Sequence, residues 1–182
     1  MEGESSVRER LWGAFLVLAG LAAAVGVAFI PWPWSWFAGF GLPGVFVAAA
    51  LGGLGSFAPS PAMGLVVAAG RHLDPVAVGV AGGLGFAVGE LPLYVLSRQS
   101  TRVSLPKWMA PERIVRAVLR LERHWYWWPV VLVIATVPSP LFDFIGIAGG
   151  RARISPWKVF LPIAAGRIIR SIYLAYLGRW TN

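Results

Sequence analysis

The chain has 182 residues, of which 57% are hydrophobic and only 13% charged, and its mean hydropathy is +0.68. A soluble domain carries about 25% charged residues, and one of this length cannot bury so much apolar surface, so the composition argues against a soluble enzyme and against a disordered chain. The formal net charge of +8 then indicates membrane topology and anionic lipid rather than nucleic acid. We therefore expect a small polytopic membrane protein.

The first apolar segment, 11–30, contains no charged residue and is long enough to cross about 30 Å of hydrocarbon as a helix. The segment predicts a transmembrane helix. A cleaved signal peptide is the alternative, with Arg8 and Arg10 as its basic region. The apolar part of such a peptide is usually about 7–15 residues long, which favours the helix.

The second apolar segment, 37–70, is interrupted by Pro59, Ser60 and Pro61. Two prolines so close together remove backbone donors and favour extended conformations before them. The piece that follows is too short to span a bilayer, so the segment predicts a re-entrant hairpin that enters and leaves on one side. Such a break survives in a membrane only where it is buried in protein or lines a polar cavity.

The middle of the chain predicts a transmembrane helix over 76–96, containing Glu90, and a basic amphipathic segment over 98–124. The amphipathic pattern is typical of a helix that lies in the membrane interface on anionic lipid headgroups. One face of this helix would carry Arg113, Arg116, Arg120 and Arg123, and the other Ile114, Val115, Val118, Leu119 and Leu121.

The last part of the chain repeats the earlier pattern. Segment 125–150 is interrupted by Pro138, Ser139 and Pro140, and predicts a second re-entrant hairpin. Segment 159–177 predicts the last transmembrane helix. If the N-terminus is cytoplasmic, most of the 16 Lys and Arg residues lie on the cytoplasmic side, as in a protein of the plasma (cell inner) membrane.

The two breaks and their flanking segments form an internal repeat. Each has Pro-Ser-Pro, a short apolar piece, small residues, an Arg, a Pro and a full span. With the N-terminus inside, the hairpins enter from opposite sides, so the fold class is an all-α membrane protein of two inverted repeats with one extra N-terminal helix. This architecture is typical of transporters whose site lies at the midplane. Two proline kinks in ordinary helices are the alternative.

The stretch from about residue 52 to 178 resembles the DedA/VTT (SNARE-associated) superfamily of membrane proteins, in a divergent YqaA-like branch. The resemblance implies a role in moving lipids or lipid phosphates, often tied to protons. The usual acid of the first break is replaced by Met63, and usual arginines of the second by Ala135 and Leu141. The matching positions are Gly70, Gly85, Gly89, Glu90, Tyr94, Arg98, Ala148, Gly149, Trp157, Phe160, Gly166 and Gly178.

Four ionisable residues lie in the apolar segments: Glu90, Asp143, Arg167 and Arg170. An unpaired charge at the bilayer centre costs at least roughly 2.5–3.5 kcal/mol, so pairing is expected. Depth along the two antiparallel spans favours Glu90 with Arg167, whereas Asp143 suits either arginine. The charges then form either a network that only locks the helices together or an anion site.

In the second interpretation, Arg167 and Arg170 bind substrate together with the serines of the two breaks, Ser60 and Ser139, and Glu90 or Asp143 carries a proton. Helix N-termini and arginine forks both suit phosphate. The leading hypothesis is therefore a transporter or flippase for a phosphate-bearing lipid. The alternatives are a proton-coupled exporter of small molecules, a non-transporting assembly factor and, last, a membrane enzyme.

No cofactor is expected, because the chain has no cysteine and its two histidines, His72 and His124, lie far apart. The expected partners are membrane lipids, with anionic headgroups at the basic segment, and not nucleic acid. The sequence leaves the oligomeric state open. A stripe of small residues on the 76–96 helix would suit a close helix interface in a homo-oligomer. Its members are Gly79, Gly82, Gly83 and Gly85.

Overall fold

The computed structural model describes residues 40–54, 61–99, 112–137 and 141–181, with the side chains of 141–144 outside that description. Over these ranges the fold is all-α, as predicted. The predicted helix at 11–30 lies outside the described residues. The helices are α1 (Gly41–Gly53), α2 (Pro61–Gly70), α3 (Pro75–Arg98), α4 (Glu112–Glu122), α5 (Trp127–Thr136), α6 (Leu141–Arg151) and α7 (Pro156–Trp180).

Two of these helices, α3 and α7, are long and apolar enough to cross a membrane. Their 24 and 25 residues give lengths of about 36–38 Å at 1.5 Å per residue. The start of α3 is fixed by the Asp74 carboxylate, which accepts a hydrogen bond from the Ala77 amide at 2.8 Å. The two apolar spans expected at 76–96 and 159–177 thus correspond to slightly longer helices.

The two long helices pack antiparallel and very close together. Gly79 faces the backbone of Ile172, and Gly83 faces that of Ile168, so a Cβ at either glycine would collide with main-chain atoms. The next glycines, Gly82 and Gly85, face α2 and α1 of the same chain. The small-residue stripe expected to support an oligomer is therefore used for packing inside one chain.

The first pair of short helices covers the half of the bundle near the start of α3. α1 runs beside α3 in the same direction, with Gly85 against Ala49 and Gly89 against Gly53. α2 then runs back beside α7, and its last residue, Gly70, meets the backbone of α7. A core formed by α1, α2, α3 and α7 holds this half together. Its buried members are Val45, Ala49, Val66, Ala69, Val78, Phe86 and Ala175.

The second pair of short helices covers the other half. α5 packs on α7 where Gly166 meets Ala135, and α6 packs on the end of α3 where Gly150 meets Ser97. Tyr94 ties these elements together, because its hydroxyl donates a 2.5 Å hydrogen bond to the Ile154 carbonyl in the α6–α7 turn. A second buried core includes Tyr94, Trp127, Val131, Ile145, Ala148, Ile154, Val159 and Ile163.

The short helix α4 corrects one expectation from the sequence. Its apolar face was expected to lie in the membrane interface, but Val118 is buried in the second core, and Ile114, Val115 and Leu121 pack against that core. Only Leu119 of the apolar face is exposed. The protein itself supplies the apolar surface that this helix needs, and its arginines are left on the outside.

Candidate functional site

Two arginines lie in the centre of the bundle. Arg167 and Arg170 are only 1% and 3% exposed, and both belong to α7. Residues three apart on a helix share a face, so the two guanidinium groups start from the same side of α7. Burying two like charges one turn apart is costly, and the fold must offset that cost with specific contacts.

Two contacts of Arg167 come from one face of α3. Its Nη2 donates to Glu90 Oε1 in a part-buried ion pair. Its Cζ also lies 5.4 Å from the centroid of the Phe86 ring, within the range of a cation–π interaction. Because Phe86 and Glu90 are four residues apart, they present ring and carboxylate to the same guanidinium. The pairing expected from depth is present in the structure.

The side chain of Arg167 runs along the bundle axis to reach Phe86 and Glu90. Its backbone lies beside Gly83, whereas Glu90 is seven residues farther along α3, or about 10 Å. The side chain therefore extends toward the end of α3, and its charged group lies well away from the level of its own backbone. The level of the next turn of α7 is therefore occupied by the side chain of Arg170 and not by that of Arg167.

Arg170 contacts the first break instead. Its Nη2 lies 2.6 Å from the sulfur of Met63, the third residue of α2. A thioether is a weak acceptor and carries no charge, so this contact is not an ion pair. The residue that begins α2, Pro61, belongs to the Pro-Ser-Pro sequence, so Arg170 lies close to the point where the chain emerges from that break.

The second break reaches the same part of α7. Thr136 is the last residue of α5, and its carbonyl accepts a 3.1 Å hydrogen bond from the Tyr173 hydroxyl. The Thr136 hydroxyl donates to the Leu132 carbonyl at 2.9 Å, within α5. Since Tyr173 is three residues from Arg170, the residues next to both breaks contact adjacent turns of α7.

The structure brings some of the expected site residues together and is silent on others. Glu90, Arg167 and Arg170 lie in one buried region, and Pro61 begins α2. Asp143 lies in α6, but its side chain is outside the described part. The other break residues also fall outside the described ranges: Pro59, Ser60, Pro138, Ser139 and Pro140. In the described ranges no three His, Asp or Glu side chains are grouped as a metal site would require.

Sequence reasoning missed four residues that make contacts in this site. Phe86 carried a usable signal, because it lies one turn before Glu90 on the same face of a helix. Met63 was noted only as a departure from the family pattern. Thr136 and Tyr173 gave no signal, because their contact depends on where the end of α5 falls along α7.

The part of the chain that contains both breaks and both arginines matches a known family model. The VTT domain model matches residues 60–180, about two thirds of the chain. This chain belongs to the VTT-domain family. The matched region begins at the first break and ends with α7, so it includes the whole site. Family membership makes this a membrane protein.

Two curated proteins are similar over part of their length. The vacuole membrane protein KMS1 of Arabidopsis thaliana is 35% identical over 104 residues, covering 48% of this chain and 25% of that protein. The vacuole membrane protein KMS2 of the same plant is 30% identical over 100 residues, covering 48% and 24%. The chain thus spans about a quarter of the length of these relatives. No solved structure matches it.

Proposed function

We propose that the protein transports a lipid with a phosphate-bearing headgroup through a site around Arg170, between two re-entrant hairpins that form inverted repeats. The observation that carries the proposal is the convergence of both breaks on one part of α7. Met63, next to the first break, contacts Arg170, and Thr136, next to the second, contacts Tyr173. A buried cation between two helix breaks is typical of a transporter's binding site.

The packing of the short helices supports the hairpins. α1 and α2 run in opposite directions on one half of the bundle, and α5 and α6 pack on the other half. The end of α1 lies level with Gly89 of α3, next to Glu90, and the end of α5 lies level with Tyr173 of α7. The two pairs of short helices therefore overlap in depth around the arginines. Hairpins entering from opposite faces of a membrane would overlap in this way.

The chemistry of the site suits a phosphate. An arginine fork presents parallel donors that match phosphate oxygens, and α2 begins beside Arg170 with its N-terminal amides directed toward the break. Ser60, Ser139 and Arg167 would add donors around the bound headgroup. The acyl chains would stay in the surrounding hydrocarbon, because the arginines are the polar part of this otherwise apolar centre.

Proton coupling would use the acids. In the proposed resting state, Glu90 is a carboxylate paired with Arg167. When an anionic headgroup binds the Arg167 guanidinium in place of Glu90, the Glu90 carboxylate loses its counter-charge. Protonation of Glu90 then becomes favourable. Asp143 would act in the same way if it lies near Arg170. The orientation consistent with this scheme has the N-terminus in the cytoplasm and the protein in the plasma membrane.

A proton-coupled exporter of small molecules is the second candidate, favoured by Glu90, whose side chain keeps 13% exposure in the bundle. A partly exposed acid would bind a cationic substrate, whereas the arginines favour an anion. A third candidate, a non-transporting assembly factor, would use the same charges only to hold the helices together.

The test is translocation by purified protein in sealed liposomes. We expect movement of a labelled phosphatidylglycerol, none of a labelled diacylglycerol, and acceleration by a pH gradient that Glu90→Gln abolishes. Transport of a small organic cation without lipid movement would support the exporter, and no transport of either would support the assembly factor.

A second variant tests the anion site itself. Met63→Glu would place a carboxylate beside Arg170 Nη2, where it would compete with a phosphate. We expect lipid transport to fall at least about tenfold, whereas Met63→Leu, which keeps the volume, should cost less than about 1.5 kcal/mol in stability and retain transport. Equal transport by both variants would exclude Arg170 from the site.

A further inference from the structure

The charged residues near the two ends of the bundle are distributed unequally. The end where α3 terminates and α7 begins is strongly basic. Its exposed cations among the described residues are Arg98, Arg113, Arg116, Arg120, Arg123, Arg151, Arg153 and Lys158. We call this set the basic end. Its described acids are Glu112 and Glu122, whereas the opposite end has Arg71 and Arg179 with Asp74.

Helix α4, which supplies three of the eight cations of the basic end, is fixed in place by two contacts. Its apolar face packs on the core through Val118. At its last residue, Glu122 forms a 2.6 Å ion pair with Lys158 at the start of α7. The orientation of α4 is therefore set by the protein, and its arginines project away from the fold.

Two tryptophans at the same end are also left outside the fold. Trp125, three residues after α4, is 88% exposed, and Trp157, at the start of α7, is 67% exposed. Between them, Trp127 is buried and donates to the Lys158 carbonyl at 3.0 Å, which keeps the two segments together. Exposed tryptophans beside a membrane-spanning helix are typical of the headgroup level of a bilayer.

We propose that the basic end binds the phosphates of anionic phospholipid headgroups through the arginine face of α4, without insertion of α4 into the hydrocarbon. Charge complementarity selects this occupant, since the surface carries many cations, few acids and aromatic residues suited to the headgroup layer. The apolar face of α4 is already occupied by the core, so the interaction is electrostatic. The proposal is independent of any transport activity.

The experiment uses the full chain in nanodiscs that mix phosphatidylglycerol with phosphatidylcholine. After transfer to a neutral detergent, the two lipids that remain bound are counted by native mass spectrometry at low and high salt. Wild type should prefer phosphatidylglycerol at low salt, and the preference should fall at high salt because ions screen exposed charges.

The decisive variants are Arg116→Gln with Arg120→Gln, and a control with the same charge loss at the opposite end, Arg71→Gln with Arg179→Gln. Each arginine that contacts a headgroup contributes roughly a fivefold preference for phosphatidylglycerol. The double variant in α4 should therefore reduce the preference for phosphatidylglycerol roughly 25-fold. The control variant should keep the preference for phosphatidylglycerol.

Equal losses of this preference in both variants would show an effect of net charge alone. A preference that survives the α4 pair or high salt would also overturn the proposal. Melting temperatures are checked to show that both variants are folded.

Discussion

Arg167 and Arg170 lie one turn apart on the same buried helix, yet their surroundings differ. Arg167 is held by a carboxylate and an aromatic ring, both from α3. Arg170 meets a thioether at the start of α2. The first environment compensates a charge inside the protein, and the second positions a charge beside a helix break. In the proposed function, this difference makes Arg167 mainly a stabiliser of the fold and Arg170 mainly a residue of the transport site.

The largest expected effect tests the structural side of this comparison. Arg167→Gln would leave Glu90 buried without its counter-charge, so we expect a loss of roughly 3–5 kcal/mol in the free energy of unfolding. Adding Glu90→Gln removes the stranded acid and should restore part of that loss. Denaturant unfolding in detergent measures both. If the double variant is no more stable than the single one, the pair does not have the stabilising role assigned to it.

The next prediction concerns the helix contact that supports both arginines. Gly83→Ala would place a methyl group against the backbone of Ile168, which cannot move without separating α3 from α7. We expect a loss of about 1–3 kcal/mol in stability from overpacking. The matched control is Gly146→Ala, because a Cβ there meets nothing within 4 Å. Similar melting temperatures for the two variants would contradict the close packing of α3 on α7.

The smallest effect separates the ring from the carboxylate in the Arg167 environment. Phe86→Leu keeps an apolar side chain but removes the aromatic face under the guanidinium. A desolvated cation–π contact is worth up to about 2 kcal/mol, so we expect a loss of about 1–2 kcal/mol, less than for Arg167→Gln. In an Arg167→Gln background the same change should cost clearly less. A double-mutant cycle in detergent measures this coupling, and additive effects would exclude the contact.

Sequence patterns were sufficient to predict the features that depend on the length and apolarity of a segment and on the depth of a residue in its span. The two long helices follow from uninterrupted apolar segments, and the Glu90–Arg167 pair follows from their relative depth in antiparallel spans. The inverted repeats and re-entrant hairpins remain predictions. The homologous match over 60–180 supports the resemblance that the motifs carried.

Other features depend on tertiary placement that no local pattern encodes. An amphipathic pattern requires an apolar surface for α4 but does not say whether lipid or protein supplies it; here the core around Val118 does. The partner of Glu122, Lys158, is 36 residues away. Likewise, the contact of Arg170 with Met63 joins residues 107 apart, so only the packing of α2 on α7 reveals it.

The most direct measurement of the central claim is translocation of labelled phosphatidylglycerol by Arg170→Gln, with Arg179→Gln as its control on the same helix. Arg170 is buried beside the break, whereas Arg179 is exposed in the last turn. We predict that both variants melt cooperatively in detergent, and that translocation is lost in Arg170→Gln and retained in Arg179→Gln. Normal translocation by a folded Arg170→Gln variant would contradict the account and leave the buried charges with a structural role alone.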